Sequence, residues 1–175
     1  GVKVAQYYTD ENGFLTSDVY YVPSSLKSVT VERGDLPAGA FSGCNMLENI
    51  TLPHGITSVE EYAFEYCSAL LEIEIEDGVN YIGAHAFSDC KALAKIDIPE
   101  SVERIGEYAF SGCTGISFVF IPEGVISIGG FAFEDCEMLS EISVSGDNTA
   151  YKSVDGSLYT KDGSTLIRYP IGKQD

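Results

Sequence analysis

Cysteine occurs five times in this chain, and each one stands 23 residues from the next: Cys44, Cys67, Cys90, Cys113 and Cys136. Each closes the same pentapeptide, Ala-Phe-x-x-Cys, beginning at Ala40, Ala63, Ala86, Ala109 and Ala132. A fixed period of this length is the mark of a solenoid, in which one small unit stacks on copies of itself. Each turn then contacts only its neighbours, and a single turn cannot bury its own apolar face. The period decides the architecture, and it moves the question of function from a pocket to a surface.

Aligned from its leucine, one turn reads Leu-x-x-Ile-x-Ile-Pro-x-x-Val-x-x-Ile-Gly-x-x-Ala-Phe-x-x-Cys-x-x. The fullest copy carries Leu93, Ile96, Ile98, Pro99, Val102, Ile105, Gly106, Ala109, Phe110 and Cys113. Ile-x-Ile alternates with period two and predicts a short strand with one buried face. Proline ends it, because it has no N–H to continue a ladder. Val-x-x-Ile-Gly predicts a second extended piece, with the glycine allowing a tight or positive-φ turn. Ala-Phe-x-x-Cys-x-x-Leu places apolar residues three or four apart, which predicts a short helical or 3₁₀ turn.

The cysteines fit neither a disulfide framework nor a metal site, since their number is odd and no Cys-x-x-Cys or neighbouring Cys/His set exists. Successive turns bring them to roughly 5 Å, within disulfide range. An in-register ladder points the sulfurs the same way, however, so the expectation is reduced, buried, structural thiols. No cofactor is implied. His54 and His85 have no Ser or Cys partner at a recognisable spacing, so no catalytic residue is named and no enzymatic activity is expected.

The formal charge is −17. Between Leu47 and Met138 there are 17 acidic residues against three basic ones, Lys91, Lys95 and Arg104. Such a surface repels phosphate backbones and argues against nucleic-acid binding. No apolar run approaches the roughly 20 residues of a membrane helix, so no membrane insertion is expected.

The ends deviate from the period. Leu26 and Leu47 are only 21 residues apart, so the first turn, Ser24 to Met46, is irregular. Ahead of it, Val4–Tyr8 and Val19–Val22 predict strands around the turn signal Asp10-Glu11-Asn12-Gly13. After Leu139, Ile142 and Val144 the pattern stops. Tyr151–Val154, Ser157–Thr160 and Thr165–Tyr169 then predict a meander punctuated by Asp155-Gly156 and Asp162-Gly163. The division expected is a hairpin cap over residues 1–23, a solenoid over 24–145 and a β-meander cap over 146–175, the caps covering otherwise unpaired strands and exposed core.

With the repeat laid out, the chain resembles the 23-residue leucine-rich repeats of the BspA type, from about Val22 to Val144. The resemblance rests on five copies of Ala-Phe-x-x-Cys in phase with Ile-x-Ile-Pro and Val-x-x-Ile-Gly. It implies a leucine-rich repeat solenoid of about five stacked turns, mostly β, with short parallel strands and short helical or 3₁₀ turns. It further implies an extracellular or cell-surface protein that binds protein ligands in adhesion to host proteins or other cells. The alternative is a structural spacer within a larger protein, beside an enzyme domain for instance. Three positions depart from the pattern: Glu60 stands where other turns carry glycine, and Glu76 and Ser145 replace the proline.

In such solenoids the Leu-x-x-Ile-x-Ile strands build the larger parallel sheet and their x positions face outward. One outward column runs Thr51, Glu74, Asp97, Phe120, Ser143, and another Asn49, Glu72, Lys95, Phe118, Glu141. Phe118 and Phe120 stand out, because large exposed aromatics that lie together are uncommon without a partner surface. A cap, a neighbouring domain or a dimer would cover them equally well. The candidate ligand-binding surface is therefore Phe118, Phe120, Glu72, Glu74, Lys95 and Asp97. Glu74 and Asp97 are expected to face each other across adjacent strands, with Lys95 pairing with Glu72. Two carboxylates are a thin ligand set for a divalent cation, and no metal site is assigned. Nor do they imply the enclosing cleft of a sugar hydrolase. A last column, Tyr62, His85, Tyr108 and Phe131, predicts a ladder of stacked rings on a lateral side, or else a second binding face.

Overall fold

The computed structural model describes residues 2–9, 15–22, 25–31 and 36–173. Strands β1 (Val2–Thr9) and β2 (Leu15–Val22) pair antiparallel, from Val2 opposite Val22 to Thr9 opposite Leu15. The Asp10-Glu11-Asn12-Gly13 turn lies outside the described residues, as do Ser24 and residues 32–35 of the first solenoid turn.

The stack contributes, in chain order, β3 (Ser28–Thr30), β4 (Asn49–Thr51), β5 (Ser58–Val59), β6 (Glu72–Ile73), β7 (Tyr81–Ile82), β8 (Arg104–Ile105), β9 (Phe118–Ile121), β10 (Ser127–Ile128) and β11 (Glu141–Val144). All of them pair in parallel. Partners such as Asn49 and Glu72, Ser58 and Tyr81, or Phe118 and Glu141 lie one 23-residue period apart, whereas Ser28 meets Asn49 at the shorter spacing of the irregular first turn. One side of the stack is a continuous sheet, β5-β7-β8-β10.

The other sheet is not continuous, contrary to the expectation of one larger parallel sheet. It splits into β3-β4-β6 and β9-β11, because residues 94–98 of the intervening turn form no strand. Ile96 and Ile98 are still buried, so the chain keeps its path there while its backbone leaves the ladder.

The third side corrects a second expectation. The Ala-Phe-x-x-Cys segments are successions of tight turns and not helices. In each arm but the last, bonds to the carbonyl three residues back alternate with bonds to the next turn. Ala63, Glu65 and Cys67 donate to Glu60, Tyr62 and Phe64, whereas the N–H groups of Tyr62, Phe64 and Tyr66 donate to the carbonyls of Ala84, Ala86 and Ser88. Tyr62 and Tyr66 have φ near +60°, and His85, Asp89, Tyr108, Phe131 and Asp135 repeat that conformation. A left-handed residue every fourth position rules out a right-handed helix and turns alternate N–H groups toward the neighbour, at a cost of about 1–2 kcal/mol per non-glycine residue.

Two ring ladders offset that cost. Phe64, Phe87, Phe110 and Phe133 stack inside the core, with half-buried Phe41 at the head of the row, at 5.3–5.7 Å between centroids. Outside, Tyr62, His85, Tyr108 and Phe131 stack at 4.9–5.1 Å. Offset or stacked rings at these separations add about 0.5–1.5 kcal/mol each beyond area. The outer column thus forms the expected lateral ladder.

The recurring glycine has a different reason from the one expected. Gly83, Gly106 and Gly129 do not adopt positive φ. A Cβ on Gly106 would lie 2.4 Å from the Ala84 amide nitrogen, and one on Gly129 equally close to that of Glu107. Glycine is needed there so that the backbones of successive turns can touch.

The five cysteines are buried free thiols. Burial pushes each thiol's pKa up, to about 12 for Cys67 and Cys136. They do more than fill space. The thiols of Cys67, Cys90, Cys113 and Cys136 donate to the carbonyls of Phe41, Phe64, Phe87 and Phe110 in the preceding turn, at 3.0–3.2 Å.

Beyond β11 come β12 (Tyr151–Val154), β13 (Ser157–Thr160) and β14 (Leu166–Arg168), an antiparallel meander at the predicted positions. It is bonded to the last turns: Ile142 donates to the Gly156 carbonyl and Gly172 to that of Leu139, both at 2.8 Å. Buried Asn148 uses its whole amide. Its Nδ2 donates to the carbonyls of Pro122 and Val125, and its Oδ1 accepts from the N–H groups of Ala150 and Tyr151.

Candidate functional site

The outward face of the split sheet carries all six residues singled out by sequence. On β9 the alternation is complete: Val119 and Ile121 are fully buried, while Phe118 and Phe120 are 45% and 40% exposed. The parallel register sets Phe118 beside Glu141 and Phe120 beside Ser143 of β11. Strand pairing fixes the backbone, and Phe at both outward positions suits a pleated, half-buried surface.

Glu72 on β6, Glu74 just past it, and Lys95 and Asp97 within the unpaired segment line one groove of about 630 Å³. Phe118 and Phe120 do not line it. The six residues therefore form two neighbouring features of one face: an aromatic strand and a mostly acidic groove. Asn49, Thr51 and Asp77 also line the groove. Asn49 and Thr51 stand in the very columns read from sequence, so the repeat phase was signal enough to include them; Asp77 lies just past the strand and carries no such signal.

Two expected pairings change. Lys95 pairs with Asp97, Nζ to Oδ2 at 2.6 Å, and not with Glu72. The two residues are separated by one position on the same extended segment, so the lysine neutralises its own segment. Glu74 and Asp97 do not face each other as paired strand residues, because neither belongs to a strand. Close by, His54 Nδ1 lies 2.9 Å from Glu76 Oε2; that bond, and then the Glu76 charge, raise the His54 pKa.

Chemically this face offers carboxylates, one paired lysine and two exposed rings, the makings of a docking surface. Among the described residues, no group of three or more His, Cys, Asp or Glu stands close enough to hold a metal ion. No helix among them is long and apolar enough to cross a membrane.

The BspA type Leucine rich repeat region matches the chain in six copies over residues 34–154. No curated relative matches the sequence. Among solved structures, the chain is similar to a leucine rich cell surface protein from Faecalibacterium prausnitzii A2-165, with 33% identity and a TM-score of 0.79 over 87% of this chain and 42% of that one. It is similar to a leucine-rich repeat protein of T. pallidum, with 30% identity and a TM-score of 0.68 over 79% of this chain and 68% of that one. The pneumococcal vaccine antigen PcpA shares 30% identity and a TM-score of 0.69 over 97% of this chain and 41% of that one. The chain thus spans less than half the length of the first and third of these proteins. Leucine-rich repeats of this kind generally mediate protein–protein interaction. Repeat period, register and matched copies together make this chain a member of the BspA-type leucine-rich repeat family.

Proposed function

We propose that this chain is a non-enzymatic protein-binding module of a bacterial surface or secreted protein, used for adhesion to host or matrix proteins or to other cells. The observation that carries the reading is the exposed pair Phe118 and Phe120 on a paired strand. Two rings held side by side supply the apolar anchor of an interface, and the Glu72, Glu74 and Asp97 carboxylates around the adjacent groove supply its polar rim. The surplus of acid selects partners with basic patches and speeds their approach at low salt. The cell-surface description of the similar Faecalibacterium protein supports the location proposed here.

The double substitution Phe118→Ala and Phe120→Ala tests it. Both rings are partly exposed, so the circular dichroism spectrum and melting temperature are expected to stay close to those of the parent. Binding to a panel of immobilised extracellular matrix proteins is expected to fall at least about 10-fold, the loss usual for a pair of aromatic hot spots. Unfolding of the variant would assign the rings to the core, and unchanged binding would remove them from the site.

A further inference from the structure

Along the candidate face the outward residues change character from turn to turn. Phe118 and Phe120 stand on β9, Lys95 and Asp97 one 23-residue period earlier, and Glu72 and Glu74 one period before those. β4 lies beyond β6 on one side and β11 beyond β9 on the other, so this order belongs to the middle of the stack. All six side chains are exposed. Lys95 is held by Asp97, whereas Glu72 and Glu74 form no salt bridge among the described residues. Successive turns stack about 5 Å apart, which sets these two carboxylates roughly 10 Å from the two rings.

We propose that this face takes an extended peptide segment carrying an apolar side chain toward one end and a lysine or arginine toward the other. The proposal rests on the protein-binding reading above and names the chemistry of its partner. Three successive turns line the groove of about 630 Å³, at residues 49–51, 72–77 and 95–99, and the last of them adjoins the turn that carries the rings. Over about 10 Å of stacking axis that volume gives a cross-section of about 60 Å², roughly 8 Å across. An extended chain fits such a channel; a helix, about 10–12 Å wide with its side chains, does not.

The rings of Phe118 and Phe120 receive the apolar end, as exposed aromatic pairs do. Charge places the other end. Over Lys95 a partner cation meets a like charge, whereas at Glu72 and Glu74 it meets carboxylates that no lysine offsets. In an extended segment the side chains of one face recur every two residues, about 6.6 Å apart. A lysine or arginine two residues from the apolar anchor then reaches the carboxylates through its flexible stem. The face therefore reads an order of residues and is not a sink for any basic chain.

The test titrates the full, isotope-labelled chain with the peptide acetyl-Leu-Ser-Lys-Ser-Lys-amide, following backbone amide chemical shifts up to about 5 mM peptide. Shifts are expected to concentrate at residues 72–74, 95–97 and 118–120 and to saturate with a Kd of about 1 mM. Acetyl-Ser-Ser-Lys-Ser-Lys-amide lacks the apolar anchor, and acetyl-Leu-Ser-Glu-Ser-Glu-amide reverses the charge. Each is expected to bind at least about 5-fold more weakly. Glu72→Gln with Glu74→Gln changes only exposed side chains and is expected to weaken the first peptide about 5-fold. Shifts that fall elsewhere or never saturate would overturn the proposal. So would equal binding of the anchor-free peptide, which would reduce the effect to counter-ion attraction, or undiminished binding by the glutamine variant. Failure here is separable from failure of the adhesion reading. Silent peptides beside matrix binding that Phe118→Ala and Phe120→Ala abolish would refute only this proposal, and bound peptide without any matrix binding would refute only the other.

Discussion

The thiol of each repeat sits where its proton is worth keeping. Cys67 has its pKa raised from an ordinary 9.0 to about 12, burial being the main cause. The folded state therefore holds the proton across a window in which the unfolded chain releases it. Stability is complete below pH 9 and falls as pH rises from 9 toward 12, by about 1.4 kcal/mol per pH unit for each thiol titrating only in the unfolded chain. Urea midpoints measured between pH 8 and 11 should fall steeply for the parent and less steeply for Cys67→Ala. Equal slopes would show that the thiols do not set the alkaline limit. In the sequence these residues are legible as buried rungs. Their donor role is not, because the accepting carbonyl lies 26 residues back and only the stacking distance brings it within reach. The same holds for Gly106: the pattern reveals that glycine recurs, and only the neighbouring backbone reveals why.

Elements follow the period closely. The pairing of β4 with β6, of β5 with β7 and of β9 with β11 comes directly from counting 23 residues, and the candidate face follows from the outward columns. The break between β6 and β9 escaped that count, although the residues carry a hint. Ala94, Lys95 and Asp97 fill every outward position of that segment, and all three are poor strand formers, whereas β9 offers Phe118 and Phe120. A repeat pattern records the buried positions and is blind to the outward ones. The arms imitate a helix for a related reason, since residues three or four apart share a face in a helix and also in a chain of such turns. Hydrogen exchange distinguishes the paired from the unpaired segments. Amides of residues 94–98 are expected to exchange at least about 10-fold faster than those of β9, as unpaired backbone does. Equal protection would mean that the ladder runs unbroken.

For the molecule as a whole, the question is how an open stack ends. We propose that residues 1–23 and 146–175 act as its caps. Asn148 is the latch of the second, since one amide ties the meander to Pro122 and Val125 while ordering its own start. Asn148→Ala leaves two carbonyls and two N–H groups without that partner. The expected cost is about 2–4 kcal/mol, read from urea unfolding, whereas the same change at exposed Thr149 should cost less than about 0.5 kcal/mol. Similar small losses at both positions would deny the meander its capping role.

The interrupted sheet also gives this rod a joint. Tension along the stacking axis passes through every interface in series, so each bears the same load. The two interfaces that flank residues 94–98 carry that load on the arms and the continuous sheet alone, with the third side unbonded. Pulled or bent, the stack yields there first, opening on the side of the acidic groove and closing on the other. The candidate binding face therefore straddles the most compliant point of the molecule, and a partner gripping Phe118 and Phe120 on one side and the groove on the other would stiffen it.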